Sequence, residues 1–242
     1  MKSELKCIYL KLIKIVILSL TFQFVKQKLV IEFQHYLENG LKALGIKISD
    51  NQVRLMTIHA KELMMWNKKI NLTSIKQPLQ IAEKHFIDCL AAASFIKNKT
   101  YIIDLGSGGG FPGIPIKIMK PLLNVVLIDS SRKKINFLKH VIRMLDLKGI
   151  DAIHYRAQDL YENDLYRGRF DGVISRAFSE LSNFVELASP FLNSEGTIYA
   201  MKGRQAKKEI TPELLEKFEV KSDHYKLPFE KSDRYIMSLS KL

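Results

Sequence analysis

Features that mark several large classes of proteins are scarce in this 242-residue sequence. Two cysteines are too few for a disulfide framework, and twelve glycines exclude a collagen-like repeat. No internal repeats or low-complexity segments are present. Since 47% of the residues are hydrophobic, disorder is not the main state of the chain. The sequence is therefore long and apolar enough for one packed core, with room for a small helical cap.

Negative charge is also in short supply. The chain has 25 Asp and Glu against 38 Lys and Arg, a net charge of +13. Such an excess favours a polyanionic partner, either nucleic acid or an acidic membrane surface. The alternative is a basic chain that its charge keeps in solution without such a partner.

The first 29 residues lack the features of a membrane span or a signal peptide. The mainly apolar run from Ile15 to Leu20 is far shorter than the roughly 20 residues that a span needs. No small-x-small cleavage site follows it. We predict no membrane partner and a cytoplasmic location. Residues 1–29 form an extension with two open interpretations: an interfacial or partner-binding helix, or a segment upstream of the true start of translation.

The next segment, residues 30–98, has the pattern of amphipathic helices. Leu37, Leu41 and Leu44 recur at spacings of three and four, and Ser49 or Asp50 can cap a second helix. We predict that this segment is a helical cap.

Residues 99–242 have a different sequence pattern. Short β-rich runs such as YIIDL, NVVLID and FDGVISRA alternate with helical ones, which predicts an α/β fold with a parallel sheet and helices on both faces. The last two strand candidates are joined by a loop with Pro228 and have no helix between them. The sheet is therefore expected to end in an antiparallel hairpin.

A glycine-rich turn in IIDLGSGGGFPGIPIKI joins the first strand to a helix. Glycine is needed where a turn adopts positive φ or where backbone approaches a ligand closely. The helix N-terminus adds free N–H groups, and ligands of such sheets bind at the carboxyl ends of the strands. We predict that Gly106 and Gly108 belong to a nucleotide-binding site.

Two acids bear on which nucleotide binds. Asp104, just before the turn, would repel a pyrophosphate but suit the amino group and sulfonium of S-adenosylmethionine. Asp129, at the end of the second strand, can accept hydrogen bonds from ribose hydroxyls and suits NAD equally well. S-adenosylmethionine is favoured, while NAD and a purely structural turn stay open because the glycine spacing alone is a weak signal.

The third and fourth strands supply further candidates. Ala157 and Gln158 follow the third strand, where an adenine amino group would lie, although Gln158 is equally compatible with a solvated loop. The fourth strand lacks the Asn/Asp-Pro-Pro-aromatic turn of enzymes that methylate exocyclic amino groups. Cys89 lies in an apolar helix and is expected to be buried, not a nucleophile for pyrimidine C5.

A nucleophile with an in-plane lone pair, such as guanine N7, needs neither the Asn/Asp-Pro-Pro-aromatic turn nor a cysteine nucleophile. Catalysis would then consist of alignment and electrostatics, with Arg176 as the candidate residue. Arg176 could contact the cofactor carboxylate, a substrate phosphate or guanine O6, or it could be a structural ion-pair residue.

Basic residues cluster after the strand GTIYAMKG, at the edge where a substrate would enter. Lys202, Arg204 and Lys207 are candidates for contacts to RNA phosphates. His85, in EKHFIDCL, is a further candidate RNA contact or a packing histidine. No cluster of His, Cys, Asp or Glu has metal-ligand spacing, so we predict no metal.

Taken in order, the segments WNKKINLTSI, KHFIDCL, IDLGSGGGFPGIPIKI, VVLIDSSRKKINFLKHV, FDGVISRAF and YAMKG resemble the bacterial small-subunit rRNA guanine-N7 methyltransferases. This family is also called RsmG or glucose-inhibited division protein B. The resemblance implies a Rossmann-like class I methyltransferase fold with seven strands, mostly parallel, and an N-terminal helical cap. It further implies methyl transfer from S-adenosylmethionine to N7 of a guanine in 16S rRNA, with 16S rRNA or the small ribosomal subunit as partner.

The family's cofactor positions fall on Gly106, Phe111, the Ala157–Gln158 pair and Arg176. Two residues depart from the pattern: Gly109 replaces a common Pro, and Gln158 replaces a common Glu. Nothing in the sequence requires more than a monomer. The alternative from another class is a non-catalytic protein that binds a nucleotide or cofactor on the same fold.

Overall fold

The computed structural model describes residues 27–96, 100–160, 163–176, 178 and 180–242. The extension predicted over residues 1–29 lies outside this part of the chain, except for residues 27–29, which are helical.

Helices make up the chain before the sheet and form what we call the helical layer. They are α1 (residues 27–43), α2 (Asp50–Trp66) and α3 (Pro78–Ile81), which continues through a π-helical segment (Ala82–Ile87) into α4 (Asp88–Ala93). A capping box begins α2. The Ser49 side chain accepts a hydrogen bond from the Gln52 backbone N–H, and the Gln52 side chain accepts one from the Ser49 backbone N–H. The predicted helical character of this segment is thus present.

In the described part of the chain, seven strands form one sheet. They are β1 (Tyr101–Leu105), β2 (Asn124–Asp129), β3 (Ile150–His154), β4 (Phe170–Arg176), β5 (Leu192–Gly203), β6 (Phe218–Lys226) and β7 (Asp233–Lys241). The connecting helices are α5 (Gly113–Met119), α6 (Arg132–Met144), α7 (Ala157–Leu160), α8 (Leu181–Ala188) and α9 (Pro212–Lys217). The predicted α/β fold is confirmed.

The order of strands across the sheet is β3-β2-β1-β4-β5-β7-β6. Strands β1 to β5 are parallel, and β7 lies antiparallel between β5 and β6. The predicted terminal hairpin is therefore present, with its second strand inserted into the sheet. Because the strand order reverses between β1 and β4, a crevice opens at the carboxyl ends there, as is general for such sheets.

Two apolar clusters cover the two faces of the sheet. One joins the helical layer, α5 and α6, and contains Leu63, Phe86 and Phe137; the other contains Phe170 and Phe184. Burying one such side chain contributes about 1.5–3 kcal/mol. The helical layer thus shares its core with the sheet, and Cys89 is fully buried in it, as predicted. None of the described helices is long and apolar enough to cross a bilayer.

Candidate active site

A crevice of about 460 Å³ lies over the carboxyl ends of β1, β2 and β3, and we call it the cofactor crevice. Its walls are Gly106, Ile128, Asp129, Ser130, Tyr155, Arg156, Ala157, Gln158, Asp159, Phe178 and Leu187. Four of the predicted cofactor residues therefore line one crevice: Gly106, Asp129, Ala157 and Gln158. Their chain segments are far apart, and the parallel sheet brings them together.

Backbone geometry explains the glycine at the mouth of the turn. Gly106 has φ +77°, and a Cβ there would meet nothing within 4 Å, so the residue borders open space. Its N–H donates to the carbonyl of Ile128 at 2.8 Å, and the Ser107 N–H donates to the same oxygen. The turn is thereby fastened to β2 while its surface stays free of side chains.

Asp104 lies beneath the turn, which corrects the expectation that it faces the ligand. Its side chain is fully buried, and Oδ2 accepts from the Gly113 N–H at 2.9 Å. A Cβ on Gly113 would collide with Leu127, so this glycine allows the close approach of α5 to the sheet. Burial raises the pKa of Asp104 to about 7, against the opposing effect of the Gly113 N–H.

Asp129 connects the crevice wall to the turn. Its Oδ2 accepts from the Gly108 N–H at 3.0 Å and lies 3.5 Å from Lys134 Nζ, and its Oδ1 accepts from the Ser131 N–H at 2.8 Å. Each carboxylate oxygen can accept a further hydrogen bond, which fits two ribose hydroxyls. Gly108 is not among the residues that line the crevice, but its N–H contacts Asp129, which is.

Phe111, a cofactor position implied by the family resemblance, has its side chain in the core and is not among the residues that line the cofactor crevice. Its side chain is 4% exposed, and its ring is stacked between those of His59 and His85, with centroids 4.9 and 4.6 Å away. The Arg176 guanidinium lies 5.1 Å from its centroid. Phe111 therefore ties the turn to the helical layer.

His85 is buried, so the expected RNA contact is also corrected. Its Nδ1 lies 2.8 Å from Nη2 of Arg176, and its Nε2 lies 2.8 Å from Oγ1 of Thr73. A guanidinium can only donate, so Nδ1 accepts and the ring proton is assigned to Nε2. Burial, with Arg176 beside it, lowers the pKa of His85 to about 3. The neutral ring orients Arg176.

A second cavity, of about 330 Å³, adjoins the cofactor crevice. Its walls are Asp88, Arg176, Phe178, Met201, Lys202, Gly203, Glu209, Tyr225 and Arg234. Phe178 lines both cavities. Arg176 is thus a wall of the second cavity and not of the cofactor crevice.

Lys202 is 9% exposed and is not placed as a surface contact for RNA, contrary to expectation. Its Nζ donates to the carbonyl of Phe178 at 3.0 Å and to Glu209 Oε2 at 2.6 Å. Glu209 Oε2 also accepts from the Leu181 N–H. Lys202 therefore links Phe178 to Glu209, whereas the nearby Arg204 and Lys207 are exposed.

The structure adds site residues that the sequence analysis missed. Asp88 had a detectable signal, since an acid inside the apolar pattern HFIDCL requires a partner. Tyr225 and Arg234 had none, because only the pairing of β6 with β7 places them at the cavity. Among the described residues, no group of three or more His, Cys, Asp or Glu is placed to hold a metal ion.

The sheet order, the glycine turn and the carboxylate that ends β2 define the class I methyltransferase fold. Two solved structures share this fold. A precorrin-6y C5,15-methyltransferase from Geobacter metallireducens has a TM-score of 0.51 at 13% identity, covering 71% of this chain and 91% of that one. A ribosomal protein L11 methylase from Lactobacillus delbrueckii has a TM-score of 0.51 at 16% identity, covering 65% and 78%.

Sequence comparison defines the family. A profile described as GidB, rRNA small subunit methyltransferase G, matches residues 52–236. The protein named ribosomal RNA small subunit methyltransferase G in Geobacter sp. strain M21 is 44% identical, and the match covers 72% of this chain and 79% of that protein. The protein of the same name in Geotalea uraniireducens is 38% identical, and the match covers 85% of this chain and 95% of that protein. The chain belongs to the rRNA small subunit methyltransferase G family, and its cofactor is S-adenosylmethionine.

Proposed function

We propose that this enzyme transfers a methyl group from S-adenosylmethionine to N7 of a guanine in 16S rRNA of the small ribosomal subunit. The observation that carries the proposal is the pair of adjoining cavities that share Phe178, one suited to an adenosyl group and one lined by charged side chains. The names of the relatives support rRNA of the small subunit as the substrate class.

Four residues of the cofactor crevice would hold the cofactor. The Asp129 carboxylate would accept from the ribose hydroxyls, and Ala157 and Gln158 would contact the adenine. Gly106, free of a side chain, would leave room for the rest of the molecule.

S-adenosylmethionine supplies an electrophilic methyl group, which guanine N7 can attack with its in-plane lone pair, so that no proton has to be removed. Two titratable residues next to the cavities are unsuited to act as a general base, which agrees with this reaction. His85 has both ring nitrogens in hydrogen bonds, and Asp104 is buried under the turn. The side chains of the site therefore bind and orient the reactants, with Arg176 held rigidly at the wall of the second cavity.

RNA contacts outside the cavities would come from exposed cations. Arg204 and Lys207 follow β5 at the carboxyl edge of the sheet, and the chain carries a net charge of +13. We assign to them contacts with RNA phosphates. We further propose that the enzyme acts as a monomer, and the ribosomal substrate supports a cytoplasmic location.

The test is methyl transfer from labelled S-adenosylmethionine to small subunits, and separately to naked 16S rRNA, from cells that lack the gene. We expect label in one RNA position, which cleavage specific for 7-methylguanosine then identifies. Binding of S-adenosylhomocysteine without any incorporation would instead support a non-catalytic binding protein on this fold.

A further inference from the structure

Asp88, at the start of α4, is a buried carboxylate that faces the second cavity. It is 4% exposed. Its Oδ1 accepts from the Tyr225 hydroxyl at 2.9 Å and lies 3.6 Å from Nε of Arg234. Its Oδ2 lies 3.9 Å from Nη1 of Arg176, beyond hydrogen-bond distance, and accepts no hydrogen bond from the described residues. Oδ2 of Asp88 thus receives no hydrogen bond from the described residues and is accessible from the second cavity.

A carboxylate oxygen that faces a cavity without a donor can accept a hydrogen bond from a molecule bound there. Burial raises the pKa of Asp88, and the two guanidinium groups within 4 Å oppose this shift. An incompletely bonded carboxylate on the wall of a cavity indicates a ligand that brings a donor of its own.

The other walls restrict what that ligand is. Arg176, Lys202 and Arg234 add positive charge, and Phe178 adds an aromatic ring at the boundary with the cofactor crevice. A phosphate has acceptors only and would meet the Asp88 carboxylate unfavourably. Guanine has two adjacent donors, N1–H and the 2-amino group, and two acceptors, O6 and N7, whereas adenine has no donor pair on one edge.

We propose that the second cavity binds the guanine to be methylated and that Asp88 determines base specificity by accepting hydrogen bonds from N1–H and the 2-amino group. This inference rests on the proposed function. A target base in structured RNA would be turned out of its stack to enter the cavity, as for other enzymes that modify bases.

The orientation of the base follows from its own geometry. N1 and the 2-amino group lie on the edge of the purine opposite N7. Asp88 belongs to the part of the second cavity that the cofactor crevice does not share, and Phe178 belongs to both. Holding the N1 edge at Asp88 therefore turns N7 towards the cofactor crevice. Methylation makes the purine cationic and N1–H a stronger donor, so this contact strengthens in the transition state.

The experiment combines a change in the enzyme with a change in the substrate. Small subunits are reconstituted with 16S rRNA that carries guanosine or inosine at the methylated position, because inosine lacks only the 2-amino group. We expect kcat/KM of the wild type to fall about 10-fold with inosine, a typical effect of one lost hydrogen bond to a charged group. We expect Asp88→Asn to lose about 100-fold with guanosine and to show no further loss with inosine.

One further variant serves as a control and another as a second test. Glu62→Gln changes another buried carboxylate, one that lies outside both cavities and pairs with Nε2 of His140 at 2.7 Å; it should keep the wild-type ratio of guanosine to inosine rates. Tyr225→Phe keeps the Asp88 carboxylate but removes its hydrogen bond, and should lower both the rate with guanosine and the ratio. This second variant tests the proposal if Asp88→Asn does not fold.

The affinity for S-adenosylhomocysteine, measured by calorimetry, reports folding and the cofactor crevice independently and should stay within about 2-fold of wild type in all variants. The inference is overturned if the wild type does not discriminate against inosine, or if folded Asp88→Asn keeps the wild-type ratio. A wild-type enzyme that binds S-adenosylhomocysteine but methylates neither RNA would overturn the proposed function itself.

Discussion

Arg176 is held by the helical layer: its Nη2 lies 2.8 Å from Nδ1 of His85, and its Nη1 donates to the carbonyl of Lys84 at 2.8 Å. The arginine ends β4, whereas both partners lie in the π-helical segment. His85 is fixed in turn by Thr73. The helical layer therefore positions a residue of the candidate active site, in addition to covering the sheet.

Removing this arginine tests its place in the site. Arg176→Ala should leave the protein folded but lower kcat/KM for methyl transfer by about 100-fold or more. The variant lacks a cation on the wall of the second cavity, and it leaves Asp88 with a single guanidinium partner. Arg54→Ala, which changes an exposed arginine of α2, is the matched control and should have little effect. Turnover by Arg176→Ala at the wild-type rate would remove Arg176 from the site.

Replacing the glycine at the mouth of the turn tests the cofactor crevice. Gly106→Val forces a β-branched residue into φ +77° and fills the crevice wall, so affinity for S-adenosylhomocysteine should fall more than about 10-fold. Gly45→Val is a close control, since Gly45 has φ +69° and no neighbours within 4 Å of a Cβ, but lies in the loop after α1. It should lower stability and keep the affinity. If Gly106→Val and Gly45→Val bound S-adenosylhomocysteine with equal affinity, the assignment of Gly106 to the cofactor crevice would be wrong.

The exposed cations at the carboxyl edge should set the salt dependence of RNA binding. Arg204→Ala and Lys207→Ala should each reduce the slope of log K against log salt by about 0.7–0.9, the effect of one lost phosphate contact. Lys241→Ala is the control, because pairing of β5 with β7 places this exposed residue at the opposite edge of the sheet. An unchanged slope in both site variants would show that RNA enters elsewhere. Filter binding across a salt series measures the slopes.

His59 should make stability depend on pH. Burial lowers its pKa to about 4, below the unfolded value near 6.5, so the unfolded state binds more protons between these values. Stability from this residue is thus lost as pH falls below 6.5. Asp104, with its raised pKa, acts in the opposite direction over a similar range, so the effect of His59 must be isolated by difference.

The variant His59→Gln isolates the effect of His59 on stability, because glutamine cannot titrate and keeps a donor for the Gly109 carbonyl. Between pH 7 and 4.5 the wild type should lose about 2 kcal/mol more unfolding free energy than the variant. Urea denaturation at the two pH values gives this difference. Parallel changes in the two proteins would show that His59 titrates normally in the folded state.

Local patterns predicted the elements that depend on neighbouring residues. The order of strands and helices, the glycine turn from Gly106 and the placement of Asp129, Ala157 and Gln158 at strand ends follow from alternation, turn sterics and the shared direction of parallel strands. These features needed no knowledge of packing, because each is a property of a short segment or of the sheet rule that joins such segments.

The burial of individual polar and aromatic residues was decided by tertiary packing. His85 and Phe111 looked like contacts for RNA or the cofactor, but packing of the helical layer encloses them. Lys202 looked like a surface contact for RNA phosphates, but it lies on the wall of the second cavity. Asp88 meets Tyr225 across 137 positions of the chain, only because β6 pairs with β7 and α4 packs beside them. A side chain's exposure depends on which distant segments cover it, and no short pattern of residues carries that information.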